Sequence, residues 1–195
     1  MSSPGPLPAH LYVAETPDLR IRHKVPNDAM DDFAWRRDPE TARFDGQPPL
    51  AVSYPEFARA LEHEVEFPDP RRRPFSIETP GGLHFGNIMY YNADGESAEL
   101  GVSIGLEDYR GRGLGTSAVV AFVRFIFATT SIRRLCLHTL EWNTRARRCF
   151  ERAGFDATAR VEREAGVFLR MEVRREWWLL WDMEGRFAPA ASPAP

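Results

Sequence analysis

Tyr109-Arg110-Gly111-Arg112-Gly113-Leu114-Gly115-Thr116 carries the strongest signal in this chain of 195 residues. It follows an apolar–polar alternation at Ala98 to Ile104, which reads as a strand. It opens a run from Thr116 to Ala128 that is apolar nearly all round, which reads as a buried helix. A loop so placed presents unpaired N–H groups at the positive end of a helix, and alternate glycines let the backbone approach a phosphate. A nucleoside-triphosphate loop would need a lysine after the last glycine, where Thr116 stands. A dinucleotide loop would need G-x-G-x-x-G, whereas Gly111, Gly113 and Gly115 alternate strictly. Taken alone, the triplet is equally compatible with a flexible turn that binds nothing.

Outward from the loop, helical and strand patterns interleave. Downstream lie a strand at Arg134 to Leu140 and a short helix at Thr144 to Ala153, closed by Gly154. A pair of strands follows, Phe155 to Glu162 and Val167 to Arg174. Upstream, Phe75 to Thr79 and Leu83 to Tyr91 read as strands joined through Pro80-Gly81-Gly82. Leu19 to Lys24 suits a first strand, and Pro26-Asn27-Asp28 begins a helix bearing Met30, Phe33 and Ala34 on one face. Ser53 and Glu56 form a capping box for a second amphipathic helix through Phe57 and Leu61. Hairpin-linked strands with helices between them indicate a mixed α/β, or α+β, sheet domain.

Composition narrows the function. Hydrophobic residues at 43% suit a globular domain, and the chain length suits one, expected over residues 11–184. Residues 1–10 and 185–195 are expected to be disordered, the latter from its Pro/Ala/Ser content. A net charge of −3 offers no basic field, so neither nucleic acid nor a membrane is expected as partner. Cys136 and Cys149 read as reduced thiols, and with no leader or membrane span in view a cytoplasmic location is expected. His10, His23, His63, His84 and His138 lack ligand spacing, so no metal site is expected. Arg145, Arg147, Arg148 and Arg152 read foremost as a solvated helix face. The apolar run from Trp177 to Trp181 is expected to pack on the domain's own surface, with a dimer seam or acceptor-site wall second. Monomer and homodimer both stay open.

Arg110-Gly-Arg-Gly-Leu-Gly115 resembles the (Arg/Gln)-x-x-Gly-x-(Gly/Ala) signature of the GNAT acetyltransferase superfamily. Asn143-Thr-Arg-Ala146 and Glu151-Arg-Ala-Gly154-Phe155 are similar to that family's Asn-x-x-Ala/Ser helix and its Gly-Phe end. Leu19-Arg-Ile-Arg22, Trp35-Arg-Arg-Asp-Pro39-Glu and Met171-Glu-Val-Arg-Arg-Glu-Trp177 resemble the branch containing the bacterial ribosomal-protein N-terminal acetyltransferases. The matches run in order over roughly residues 19–177.

The resemblance implies a mostly antiparallel central sheet of about 6–7 strands with about four helices, opened by a V-shaped splay between Ala98–Ile104 and Arg134–Leu140. It implies an N-acetyltransferase using acetyl-CoA as co-substrate and an amine acceptor, either a protein N-terminus or a small molecule. Val102, Ser103 and Ile104 would pair with the pantetheine arm. Arg110, Gly111, Arg112, Gly113, Leu114, Gly115 and Thr116 would take the pyrophosphate, and Asn143 the pantetheine amides. Glu99 is the expected base, directly or through water, with Glu141, His138, His84 and Glu78 as alternatives. Trp35, Phe44, Tyr54 and His84 would wall the acceptor site. Phe150 departs from the family's pattern, standing where Tyr or Ser protonates the leaving thiolate. Ser103, Tyr109 or water would take that role, or the thiolate leaves unprotonated. An acyl-CoA-binding module without turnover, and a longer acyl donor such as succinyl-CoA, remain as alternatives.

Overall fold

A computed structural model describes residues 11–188; the segments 1–10 and 189–195, parts of the two expected disordered ends, lie outside the described residues. One sheet of eight strands runs in the order β1-β2-β3-β4-β5-β6-β8-β7. The strands are β1 (Tyr12–Glu15), β2 (Arg20–His23), β3 (Arg73–Glu78), β4 (His84–Tyr91), β5 (Ser97–Ile104), β6 (Arg134–Leu140), β7 (Asp156–Arg163) and β8 (Gly166–Arg174). Every neighbouring pair is antiparallel except β5 and β6. A parallel pair needs a long crossover, and α4 (Leu114–Thr129) supplies it.

The two faces of the sheet differ because α4 covers only one. Ala118, Val119, Phe122, Val123, Ile126 and Phe127 of α4 are buried, as are Ile21, Ile77, Ile88, Leu100 and Leu135 of the strands, in one core. The far side of α4 is also covered, with Phe127 edge-on to Trp178, and this explains a helix apolar nearly all round. On the opposite face stand Asn87, Met89 and Tyr91 of β4, cross-strand from Ser103, Gly101 and Glu99 of β5. Helices α1 (Ala29–Arg37), α2 (Pro39–Asp45) and α3 (Tyr54–Glu66) enclose a cleft against this second face.

A buried polar network ties α1 to the sheet. Arg22 donates to Glu78 Oε2 at 2.6 Å and to both oxygens of Asp28 at 2.8 Å, while Ser76 Oγ donates to Asp28 at 2.7 Å. Burial opposes charge on Asp28, but Arg22, Lys24 and His84 outweigh it and hold the carboxyl well below the usual range. Lys24, the chain's only lysine, donates to Asp32 and to Asn87, each at 2.5 Å.

Strands and helices are both more numerous than the resemblance implied. The extra elements are short or terminal. β1 is a four-residue edge strand. Helix α2 is held by Asp38, which accepts from Thr41 N at 2.7 Å, and by Gly46 at φ 63° beyond its last turn. Helix α6 (Arg175–Met183) continues straight from β8. Within its apolar run Trp178 is fully buried, its Nε1 donating to Ala153 O at 2.9 Å, whereas Trp177 and Leu180 are exposed. Phe187, in the segment expected to be disordered, stacks on Trp178 at 4.8 Å between ring centroids.

Candidate active site

The sheet forks at its middle. β5 and β6 pair only through Ser97↔Arg134, Ala98↔Leu135 and Glu99↔Cys136, although β5 continues to Ile104 and β6 to Leu140. Beyond Glu99 the β6-facing backbone edge of β5 therefore has no strand partner, which is where an extended ligand with amide groups fits. The fork opens into a cleft of about 1180 Å³. Val102, Ser103 and Ile104 line one side, and Leu140, Asn143 and Phe150 the other.

At the mouth of the fork lies the glycine loop. Gly111 (φ 76°) and Gly113 (φ 83°) adopt left-handed backbone, with no atom within 4 Å of where a Cβ would stand. Gly113 caps α4, whose first-turn N–H groups have no intrahelical acceptors. Gly111, Gly113, Gly115 and Thr116 all line the cleft. This open cradle on the N-terminus of a sixteen-residue helix fits a diphosphate. Arg110 also lines the cleft, but its guanidinium is committed, donating to Ile104 O, Gly105 O and Thr41 Oγ1, each at 2.9 Å. It thereby ties the loop to α2. Arg112 lies over the Tyr109 ring at 5.7 Å, and neither Arg112 nor Leu114 lines the cleft. Asn143 caps α5 (Thr144–Arg152) by accepting from Ala146 N at 3.2 Å through Oδ1, which leaves its amide N–H groups for the cleft.

Helix α2 spans the fork like a clasp. Thr41 meets Arg110 on the β5 side, while Phe44 contacts Trp142 at 5.6 Å on the β6 side. A Cβ on Gly46 would fall 2.5 Å from the Phe168 ring, so α2 ends directly on β8. Of the four expected acceptor-wall residues, Trp35 and Phe44 line the cleft. Tyr54 packs edge-on to Phe33 at 5.3 Å, and neither it nor His84 lines the cleft. His84 sits under Trp35, its Nδ1 at 3.1 Å from Asp31 and its Nε2 at 3.0 Å from Gly86 O. Phe57, Phe67 and Met89 complete the apolar lining. The helical spacing of Phe57 gives a signal for it, whereas Phe67, among the prolines and arginines of residues 67–74, has none.

Glu99 stands behind this lining. Its carboxylate accepts from Asn92 Nδ2 at 3.0 Å, from His138 Nδ1 at 3.1 Å and from the Tyr91 phenol. Burial raises its proton affinity, but these donors prevail and hold its pKa below the ordinary value. The Tyr91 phenol is pushed up to about 12 by burial and by the Glu99 charge. Tyr91 and His138 line the cleft; Glu99 does not. Glu78 is sealed in the Arg22 network, and Glu141 pairs with Arg160 outside the cleft, so neither of these alternatives reaches it. Phe150 is buried edge-on to Phe155 at 6.2 Å and presents no donor. Asp45, at the end of α2, is pushed up to about 6, chiefly by the protein packed around it, although its carboxyl keeps contact with solvent in the cleft.

A forked sheet with an open glycine loop at its mouth is a geometry that suits a transferase handling an acyl-CoA. The chain belongs to the GNAT acetyltransferase family: the model of the acetyltransferase (GNAT) domain matches residues 18–156. It is thus an acyltransferase whose co-substrate is acetyl-CoA. Solved structures agree on the fold. Spermidine N-acetyltransferase from Vibrio cholerae, in complex with CoA and spermine, superposes with a TM-score of 0.75 at 17% identity, covering 83% of this chain and 98% of that one. Aminoglycoside acetyltransferase AAC(6')-Ib with coenzyme A gives 0.70 at 20% identity, over 83% and 98%. RimJ from Mycobacterium smegmatis, with CoA-disulfide, gives 0.69 at 18% identity, over 86% and 90%. No curated protein matches the sequence significantly. Among the described residues, no helix is long and apolar enough to cross a membrane, and no group of three His, Cys, Asp or Glu is arranged to hold a metal.

Proposed function

We propose that the chain transfers the acetyl group of acetyl-CoA to a primary amine by direct attack while both substrates are bound. The observation that carries this is the fork itself: the unpaired β5 edge, the glycine cradle and the α1–α3 groove meet in one cleft. The diphosphate is held by N–H groups from Gly111 to Thr116, the pantetheine by the backbone of Val102 to Ile104 and by Asn143. The amine enters over Gly101 and Ser103 from the side of Trp35 and Phe44. The neighbours named for acetylating spermidine and aminoglycosides support a cationic small-molecule acceptor, and the resemblance to the ribosomal-protein N-terminal acetyltransferases supports a protein one.

Chemistry there has three requirements. An alkylammonium near neutral pH has no free lone pair, so a proton must leave first; Glu99 drives that loss through a relay, since it stands behind the lining. A backbone N–H of Val102 or Ser103 stabilises the developing oxyanion, and Ser103 Oγ stands near to return a proton to sulfur in place of the absent tyrosine. Juxtaposition in the cleft supplies much of the remaining rate.

Phe150 favours a second reading, an acyl-CoA-binding module without turnover. Release of free thiol from acetyl-CoA over spermidine, kanamycin and an N-terminal peptide, beside calorimetry with CoA, separates the two. Thiol release with any acceptor supports the enzyme, and binding without release the module. Absence of CoA binding overturns both. Succinyl-CoA in the same assay tests the donor.

A further inference from the structure

We propose that His138 Nε2 is the atom that takes the proton from the acceptor amine, with Glu99 as its positioning residue. This deepens the acetyltransferase reading above and rests on it. β5 and β6 part company after Glu99↔Cys136, and in a strand alternate side chains share a face. His138 is therefore the first β6 side chain beyond the fork on the groove face. The corresponding first position on β5 is Gly101, whose missing side chain leaves open the space bounded by Met89 Cγ at 3.4 Å and Tyr91 Cε1 at 3.5 Å from a virtual Cβ. An imidazole and a gap thus face each other where the two strands diverge, which is where an amine has to meet a thioester threaded between them.

The hydrogen bonds fix the imidazole's chemistry. An ionised carboxylate only accepts, so the Glu99 contact at 3.1 Å requires the proton on Nδ1 and leaves the lone pair on Nε2, toward the cleft. Glu99 is a weak base for the same reason that it is a good anchor, because Asn92, His138 and Tyr91 all donate to it. The charged and titratable groups facing His138 are Glu99 from β5, Tyr91 from β4, Cys136 on its own strand, and Arg170 and Glu172 opposite on β8. Arg170 and Glu172 pair with each other, so Glu99 is the carboxylate free to hold an imidazolium. Asp32, another carboxylate of the cleft, is committed: it accepts from Lys24 and Asn87.

The step balances as follows. The ammonium gives one proton to Nε2, which passes it to solvent. The neutral nitrogen forms the C–N bond to the acetyl carbon, the C–S bond breaks, the nitrogen sheds its second proton and the thiolate takes one up. The products are the amide, the free thiol and one proton.

The test pairs kinetics with spectroscopy. Thiol release to spermidine, kanamycin and an N-terminal peptide is measured across pH 5.5–9 for wild type, His138→Gln and Glu99→Gln, with CoA calorimetry reporting that each variant keeps the cofactor cleft. His138→Gln should lower kcat on the order of a hundredfold with CoA affinity unchanged. Glu99→Gln should lower kcat with the acceptor KM and CoA affinity held, because an amide can donate to Nδ1 as well as accept from it and so no longer fixes the tautomer. Long-range ¹H–¹⁵N spectra of wild type should show His138 as the Nδ1–H tautomer. Unchanged kcat in His138→Gln, or an Nε2–H tautomer, overturns this proposal alone. Wild type that binds CoA but acetylates nothing overturns the acetyltransferase reading and this proposal with it.

Discussion

Trp35 lies flat against the backbone of Gly105, so closely that a Cβ there would fall 1.9 Å from the indole. Gly105 directly follows β5, and its N–H donates to Phe85 O at 2.9 Å, so the strand end cannot retreat. Gly105→Ala therefore has to push Trp35 out of its place in the cleft lining. Overpacking of this kind costs about 1–3 kcal/mol. The expected result is a lower Tm and an acceptor KM raised about tenfold or more, with CoA affinity held; calorimetry and initial rates check it.

Gly113 tests the cradle. Its φ of 83° costs a side-chain-bearing residue about 1–2 kcal/mol, although space for a Cβ is open. Gly113→Ala isolates that strain and should weaken CoA binding by about tenfold. Gly113→Asp adds a carboxylate where phosphates are to sit and should weaken it further. Equal affinity in the two variants would argue against a phosphate at this loop.

The buried Arg22–Asp28 pair sets acid stability. Asp28 has its pKa depressed in the fold, so its contribution is complete above the ordinary aspartate range and is lost as pH falls below it. Asp28→Asn leaves Arg22 and Glu78 with an incomplete network, at a cost of about 3–5 kcal/mol near neutrality. Urea midpoints for wild type and variant should be far apart at pH 7 and begin to converge only as pH falls below the ordinary aspartate range.

Asp45 has the opposite sign. It sits at the last residue of α2, where a helix disfavours negative charge, and packing raises its pKa from 3.8 to about 6. Its contribution is complete below the ordinary value and lost as pH rises through the raised one. Asp45→Asn should therefore raise Tm at pH 8 and leave it nearly unchanged at pH 4, a modest effect because the carboxyl still touches solvent.

What could be read from the residues is what local chemistry encodes. The loop from Arg110 to Gly115 announces itself because φ above zero and a helix start each demand particular residues. The Ser53–Glu56 capping box announces α3 for the same reason, and Ser53 N donates to Glu56 at 2.9 Å. Residues whose roles arise across strands stay hidden. That Glu99 lies behind His138 depends on the register Glu99↔Cys136, which no periodicity specifies. His84 and Tyr54 have the chemistry of an acceptor wall, but an Asp31–His84–Gly86 hydrogen-bond chain and a Phe33 contact hold them elsewhere. Helix α2 leaves too little pattern in its seven residues to be read from the sequence, even with Asp38 before it and Gly46 after.

The three rungs between β5 and β6 are all that stitch the left and right halves of the sheet across its midline. The molecule is thus least knitted along the line of the proposed cofactor path, and the amides of a pantetheine bound there would take the place of absent rungs. Occupancy and rigidity rise together in such an arrangement: amide protons of Leu137 to Leu140 should exchange more slowly, and melting should shift upward with ligand concentration, because loading the cleft finishes the sheet.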